Sequence, residues 1–265
     1  GKAPKVEGAW PLAIAKTESK ILKEGTGEKV DKNATLKVNY VGVNGRTGKE
    51  FDSSYKRGTT ADFPLAQVVP GFAKGLVGKH QGDRVLIMMP GSDGYDSQGG
   101  APQAGIMKGD SLIFVVDIVA IPLPKATGET VKPAAGLPTV KEVQGAPAVT
   151  IGKATKPNKL VVQPLIKGKG AAVTAHDSID VKYRTYAWSS GELIEDGYSG
   201  EPVTGSMNSV IPGWKKGLIG QTVGSRVMLI VPPADAYPNG STNPPVKKGE
   251  TLIYVIDILS AQKES

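Results

Sequence analysis

The stretch Val69-Pro70-Gly71-Phe72-Ala73-Lys74-Gly75-Leu76-Val77-Gly78 decides the architecture, because it returns as Ile211-Pro212-Gly213-Trp214-Lys215-Lys216-Gly217-Leu218-Ile219-Gly220. The two copies lie 211 − 69 = 142 residues apart along the chain. Solenoid repeats recur about every 20 to 50 residues, so the spacing here is that of a whole domain. The sequence therefore predicts two copies of one domain.

Other features recur at a similar offset and support the duplication. Each copy of the stretch is followed by an arginine, a proline and a tyrosine, and then by a closing apolar run. These pairs are Arg84 and Arg226, Pro90 and Pro232, Tyr95 and Tyr237, and residues 112–117 and 252–257.

The repeat also predicts the domain boundaries. We expect a first domain over residues 1–122, with an N-terminal extension over 1–20, and a second domain over 143–265. Residues 123–142 are rich in Pro, Ala, Gly and Lys and show little periodicity, so we expect them to form a linker.

Each domain shows short strand patterns and one helical pattern. The chain contains 34 Gly and 20 Pro, which favours short strands joined by turns. Predicted strands cover residues 21–22, 35–43, 84–89, 111–120, 159–166, 178–187, 226–231 and 251–259, with one further strand at 139–143 inside the linker. Predicted helices cover 68–78 and 210–220, and long loops cover 91–109 and 232–249. The predicted fold class is α+β, an antiparallel sheet wrapped around one short helix in each domain.

Composition argues against several kinds of function. The chain has no Cys and only two His, His80 and His176, at non-equivalent positions of the two copies, where we expect surface side chains. This predicts no metal site, and no nucleotide-binding motif suggests a cofactor. The net charge of +7 is spread along the chain without a basic cluster, which predicts no nucleic-acid partner. No apolar run is long enough for a transmembrane span.

The remaining candidates form an apolar and aromatic set that the two copies largely share. Packing beneath the sheet would by itself account for most of its members. Tyr95 argues for function instead, since it lies in a Gly-rich loop, and loops carry function more often than core. Asp52 points the same way, although a turn at Phe51-Asp52-Ser53-Ser54 would also explain it.

Several blocks taken together resemble a known family. They are Val38-Asn39-Tyr40, Gly48-Lys49-Glu50-Phe51-Asp52-Ser53-Ser54, Val69-Pro70-Gly71-Phe72, Gly94-Tyr95 and Leu112-Ile113-Phe114. Their order and spacing resemble those of the FKBP-type peptidyl-prolyl isomerases. The resemblance implies a twisted antiparallel sheet curled around a helix, and a shallow aromatic pocket that binds an X-Pro dipeptide.

The resemblance also implies roles for individual residues of the first domain. Catalysis would fall to Tyr40, Phe51, Asp52, Phe72, Tyr95 and Phe114. Substrate binding would fall to Phe63, Val68, Val69 and Ile106. Phe72 stands where the family usually has the tryptophan that forms the pocket floor.

The second copy matches the family at some positions and departs from it at others. Its pocket would comprise Tyr183, Val210, Ile211, Trp214, Tyr237, Val246 and Tyr254. Ile194-Glu195-Asp196-Gly197 replaces the Phe-Asp-Ser-Ser block, and Tyr254 replaces a wall phenylalanine. We therefore expect isomerisation of X-Pro bonds mainly through the first domain.

Partners and location follow from the same resemblance. It implies unfolded or partly folded clients that contain proline, macrolides as possible ligands, no cofactor, and a monomeric state. The tandem arrangement resembles exported bacterial members, so we expect an exported or cell-surface protein, with a cytoplasmic location left open. Two other functions also remain open: a chaperone or binding module without turnover, and a structural spacer at the cell surface.

Overall fold

The computed structural model describes residues 2–264 and divides into two compact units, between Pro122 and Leu123. Each unit contains one large antiparallel sheet, with a seven-residue helix packed against it, and one two-stranded sheet. Within this described part of the chain, no helix has the length and apolar character needed to cross a bilayer.

The first unit is built on a six-stranded sheet. Its strands are β1 (Glu18–Lys23), β2 (Thr35–Asn44), β3 (Glu50–Ser53), β4 (Ala61–Pro64), β5 (Arg84–Met89) and β8 (Leu112–Ala120), a small hairpin is formed by β6 (Gly100–Ala101) and β7 (Ile106–Met107), and the helices are α1 (Ser54–Arg57) and α2 (Pro70–Leu76). The strand order in the sheet is β1-β5-β8-β2-β3, and β4 also pairs with β2. The hairpin of β6 and β7 lies in the loop between β5 and β8.

Alternation along the strands places the core on the face of the sheet that meets α2. Val85, Ile87 and Met89 of β5 are fully buried, while the residues between them are partly exposed. The helix approaches the sheet closely at Gly75, where a Cβ atom would lie 2.8 Å from a side-chain carbon of Ile87. A larger residue at that position would push the helix away from the sheet.

The second unit repeats this arrangement in a seven-stranded sheet with the order β14-β13-β17-β16-β12-β9, and β15 also pairs with β13. Its helix, α3 (Pro212–Leu218), packs against β16 through Gly213 and Gly217, as α2 packs against β5. The strands are β9 (Glu129–Thr130), β10 (Thr139–Val143), β11 (Ala146–Thr150), β12 (Val161–Lys167), β13 (Asp177–Ala187), β14 (Leu193–Asp196), β15 (Val203–Ser206), β16 (Arg226–Val231) and β17 (Leu252–Lys263).

The outer face of each sheet carries a second apolar cluster. In the first unit, Trp10 and Leu12 of the N-terminal extension pack with Val41 and Ile113. In the second unit, Trp188 packs with Met228, Ile230 and Val255, together with side chains from residues 137–151. Each sheet is therefore apolar on both faces.

The predicted fold class is confirmed, and the strand predicted at each of β5 and β16 has the observed bounds. The helices α2 and α3 are shorter than predicted. Each begins at a proline, and the chain leaves helical geometry before Gly78 in the first unit and before Gly220 in the second. The strands β3, β4, β14 and β15 were not predicted, since four residues are too few to show alternation.

The segment 123–142 is not the free linker expected from its composition. It belongs to the second unit, where the backbone N–H groups of Leu123 and Thr127 donate to the carbonyls of Leu259 and Gly224, both at 2.8 Å. Its strands β9 and β10 pair with β12 and β11. The strand predicted at 139–143 is β10 and has the observed bounds. The two residues of β9 and the isolated backbone hydrogen bonds of Leu123 and Thr127 leave no periodic pattern, so the sequence did not predict them.

Candidate active sites

A cavity of about 270 Å³ opens between the sheet and α2 of the first unit. Strands β2, β3, β4 and β8 supply its side and back walls, α2 and the residues before it supply the floor, and the loop after β5 supplies the rim. Its lining residues are Tyr40, Phe51, Asp52, Phe63, Gln67, Val68, Val69, Phe72, Tyr95, Gln98 and Phe114.

Aromatic rings in contact with one another form most of this cavity. The Phe72 ring lies between those of Phe63 and Phe114, with centroid distances of 4.7 and 4.6 Å. Phe51 meets Phe114 edge-on at 5.6 Å and 86°. Tilted and edge-on arrangements of this kind are the favoured ones for aromatic pairs. The result is an apolar floor and wall from which a bound ligand displaces water.

Gly42 makes the Phe51 wall possible. It lies on β2 opposite Asp52 of β3 and Phe114 of β8. A Cβ atom at this position would lie 2.7 Å from the Phe51 ring and 2.8 Å from the Phe114 ring, inside any normal contact distance. The two rings therefore occupy the space that a side chain at residue 42 would need.

One polar group interrupts the apolar lining. The Tyr40 hydroxyl donates a hydrogen bond to Asp52, and Arg57 of α1 forms an ion pair with the same carboxylate. Arg57 also donates to the Tyr40 oxygen at 3.1 Å, and its guanidinium lies 5.6 Å from the Tyr40 ring centroid. The negative charge of Asp52 is thus balanced within the wall of the pocket.

The pKa values of these groups keep their protonation states fixed near neutral pH. Burial, followed by the hydrogen bond to Asp52, raises the pKa of Tyr40 to about 12. Burial alone would raise the pKa of Asp52, but the hydrogen bonds from Tyr40 and Arg57 outweigh it and hold that pKa below its ordinary value. Burial and the Asp52 charge also raise the pKa of Tyr95.

The cavity brings together every predicted residue of the first domain except Ile106. The Ile106 side chain is buried in the core, 2 % exposed, and does not line the cavity. Gln67, Gln98 and Arg57 were missed by the sequence analysis. Polar residues without periodic spacing give no sequence signal, and only the folded chain shows that they meet the pocket.

The second unit has a corresponding cavity of about 220 Å³. The Trp214 ring forms its floor and meets Tyr183 at 5.1 Å and 87°, and Tyr254 at 5.5 Å and 88°. The indole Nε1 of Trp214 is buried without a hydrogen-bond acceptor. The lining residues are Tyr183, Glu195, Ser209, Val210, Ile211, Trp214, Tyr237 and Tyr254.

Strand register identifies the equivalent positions in the two pockets. Thr185 pairs with Glu195 and Tyr254, as Gly42 pairs with Asp52 and Phe114. Glu195 therefore replaces Asp52, and Ile194, which packs against the core, replaces Phe51. Burial, followed by the Glu195 charge, raises the pKa of Tyr183 to about 12.

Two aromatic walls of the first pocket have no aromatic counterpart in the second. The first is Phe51, which Ile194 replaces. The second is Phe63 of β4, which pairs with Leu36 of β2. At the corresponding position of β13, Ile179 pairs with Gly205 of β15, so Gly205 replaces Phe63. Val246 was expected in this pocket but is buried in the core and does not line the cavity.

Neither pocket offers a set of metal ligands. Across residues 2–264, no three His, Asp or Glu side chains converge as they would around an ion. His80 is half-buried rather than on the surface, while His176 is exposed as expected. The polar groups present are suited to hydrogen bonding with a peptide.

Comparison with known proteins identifies the family. The model of the FKBP-type peptidyl-prolyl cis-trans isomerase domain matches residues 26–119 and again residues 169–259, so it covers more than half of the chain. A probable FK506-binding protein of Corynebacterium glutamicum is 32% identical over 117 residues, which are 43% of this chain and 98% of that protein.

Two further comparisons are with one curated protein and one solved structure. The FKBP-type isomerase FkpA of Escherichia coli K12 is 36% identical over 107 residues, but these are only 38% of FkpA and 40% of this chain. The crystal structure of the three FKBP domains of wheat FKBP73 is 18% identical, with a TM-score of 0.39, over 94% of this chain and 95% of that one. The two matches to the family model, one in each unit, establish that this chain is a tandem member of the FKBP-type peptidyl-prolyl cis-trans isomerase family.

Proposed function

We propose that the pocket of the first domain carries most of the isomerase activity of this chain. The observation that carries the proposal is the set of contacting rings of Phe63, Phe72 and Phe114 beside an Asp52 carboxylate whose charge is already balanced by Arg57. This combination supplies a dry surface for a proline ring and a fixed polar edge for the peptide.

The reaction needs no covalent step. Rotation about a peptide bond meets a barrier of about 18–20 kcal/mol, because the planar amide is stabilised by resonance. The twisted amide loses that resonance and is less polar, so an apolar pocket disfavours the planar form more than the twisted form. The pocket thereby binds the transition state better than the ground state.

The polar residues then orient the substrate. Tyr95 lines the cavity from the loop after β5, and its hydroxyl would donate to a carbonyl of the peptide. Asp52 would lie beside the twisting carbonyl, which belongs to the residue that precedes proline, and would hold Tyr40 in place through their hydrogen bond. None of these groups has to gain or lose a proton during the reaction.

The activity should be nearly independent of pH from about pH 5.5 to 9. The pKa of Asp52 lies below its ordinary value and that of Tyr40 is about 12, so Asp52 stays charged and Tyr40 stays neutral across this range. The measurement is kcat/KM for a Leu-Pro peptide at five or six pH values. A bell-shaped profile with a midpoint near neutrality would show that a titrating group takes part.

Macrolides of the rapamycin and tacrolimus type should bind the first pocket more tightly than the second. Such ligands need the continuous apolar wall that Phe51 and Phe63 supply, and Ile194 and Gly205 occupy those positions in the second pocket. Calorimetric titration of the full chain should give one tight site, which is lost in Phe72→Ala and kept in Trp214→Ala. Two sites of equal affinity would contradict the proposal.

The sequence also left two other roles open, a structural spacer and a binding module without turnover. Membership of the family favours isomerisation over a purely structural spacer or a binding module without turnover. For the second domain, binding with slow turnover is the role that we propose, since two of its aromatic walls are missing.

The clients and the location of the protein are part of the same proposal. Membership of the family implies protein clients that contain proline, and we propose that these are unfolded or partly folded chains. The expectation of an exported or cell-surface protein rests on the tandem arrangement and stays a prediction, as does the expectation of a monomer. Fractionation of the native cells and light scattering of the purified chain would test them.

A further inference from the structure

The two pockets also differ in the charge that they present to a bound peptide. In the first pocket, the Asp52 carboxylate forms an ion pair with Arg57, which is carried by α1 directly after β3. In the second pocket, the strand register places Glu195 at the position of Asp52. The chain between β14 and β15 forms no helix equivalent to α1, so no arginine is presented there.

Within the described residues, the Glu195 carboxylate has only hydroxyl groups as hydrogen-bond partners. One carboxylate oxygen accepts a hydrogen bond from the Tyr183 hydroxyl at 3.2 Å, and the other accepts one from Thr185 Oγ1 at 2.8 Å. Among residues 2–264, no Lys, Arg or His side chain forms an ion pair with it. A carboxylate that lines a cavity without an ion-pair partner favours a ligand that brings a cation.

The rings around Glu195 favour the same kind of ligand. Tyr183 and Tyr254 each stand perpendicular to the Trp214 ring, so ring faces and edges of three aromatic residues surround one space. Aromatic faces attract Lys and Arg side chains, and Trp is the most effective of them. In the first pocket, the corresponding face of Tyr40 is already covered by Arg57.

We propose that the pocket of the second domain selects X-Pro peptides in which residue X is Lys or Arg, and that Glu195 determines this specificity. The inference rests on the proposed function, in which the carboxylate at this position lies beside the residue that precedes proline. The first pocket presents a balanced charge and should show no such preference. The two domains would then divide client sequences by charge.

The three tryptophans allow this to be tested in the full chain. Trp214 lines the second pocket, whereas Trp10 and Trp188 lie in the outer-face clusters of the two sheets. The first pocket contains no tryptophan. In ¹⁵N-tryptophan-labelled protein, the indole resonance of Trp214 therefore reports on the second pocket alone, and Trp214→Phe identifies that resonance.

The titration uses blocked tetrapeptides Ala-X-Pro-Phe in which X is Lys, Leu or Glu. At low salt, the Lys peptide should shift the Trp214 resonance with an affinity about fivefold or more above that of the Leu peptide, and the Glu peptide should bind most weakly. The preference should shrink as salt is added, because exposed charges are screened. Trp10 and Trp188 should not respond.

Variants decide whether Glu195 is responsible. Glu195→Gln should abolish the preference for the Lys peptide, and Glu195→Lys should reverse it in favour of the Glu peptide. Asp52→Asn is the matched control in the first domain and should leave all three affinities at Trp214 unchanged. Unshifted Trp10 and Trp188 resonances would show that each variant is folded.

Equal affinities for the Lys and Leu peptides, a preference that survives Glu195→Gln, or no response of Trp214 to any peptide would each overturn the inference. Isomerase activity on the Leu peptide, measured on the same samples, reports separately on the proposed function. Absence of that activity with charge selection intact at Trp214 would contradict the first-domain assignment and leave this one standing.

Discussion

Phe72→Ala should lower kcat/KM for a Leu-Pro peptide by roughly 10- to 100-fold. The ring is 5 % exposed and touches both Phe63 and Phe114, so its removal takes away the surface on which proline would rest. It should also lower the free energy of unfolding of the first domain by about 3–5 kcal/mol, which is typical for truncation of a buried phenylalanine.

Loss of folding must therefore be separated from loss of the pocket. Thermal unfolding sets a temperature at which Phe72→Ala is folded, and the assay is run below it. Phe72→Trp restores a large aromatic floor and should keep or raise the activity. A folded Phe72→Trp protein without activity would count against Phe72 as the floor of the site.

Gly42→Ala should lower kcat/KM roughly tenfold, although it adds a single methyl group. The new Cβ would meet the Phe51 and Phe114 rings at 2.7 and 2.8 Å, and both rings line the pocket. Overpacking of this kind costs about 1–3 kcal/mol and displaces the rings from their present positions.

The matched control is Thr185→Ala, because Thr185 occupies the same register position in the second domain. There Ile194 leaves room for a side chain, so this change should hardly affect activity on the Leu-Pro peptide. The measurement is kcat/KM on the Leu-Pro peptide for the wild type, Gly42→Ala and Thr185→Ala. Unchanged activity in Gly42→Ala would show that the position of the Phe51 wall does not limit the reaction.

The sequence allowed the fold and most of the first pocket to be predicted because both depend on long patterns. The 142-residue repeat predicts two similar domains, and the ten residues from Val69 place the helix and the pocket floor together. Tyr40, Phe51 and Phe114 come from separate strands, and only their resemblance to a family pattern suggested that they meet.

Other features depend on contacts that leave no trace in a linear pattern. Arg57 balances Asp52 from a helix of four residues, and such a helix is too short to show periodicity. Ile106 was expected in the pocket by position, yet the loop turns its side chain into the core. Gly205 replaces Phe63 on a strand of four residues, and only the strand register shows the equivalence.

The environment of the Glu195 carboxylate in the second pocket is a further feature that the sequence did not show. The replacement of the Phe-Asp-Ser-Ser block was visible in the sequence, but the state of its carboxylate was not. In the first domain, α1 places Arg57 beside the Asp52 carboxylate. Between β14 and β15 the second domain has no equivalent helix, so among the described residues the Glu195 carboxylate accepts hydrogen bonds from hydroxyl groups and forms no ion pair. Charge balance within a pocket is a property of the folded chain.

The most direct test of the account removes each pocket floor in turn from the full chain. Isomerase kcat/KM on one Leu-Pro peptide is measured for the wild type, Phe72→Ala and Trp214→Ala, with folding of each checked by thermal unfolding. We predict that Phe72→Ala loses most of the activity and that Trp214→Ala keeps most of it. The reverse result, with activity lost in a folded Trp214→Ala protein and kept in Phe72→Ala, would contradict the assignment of catalysis to the first domain.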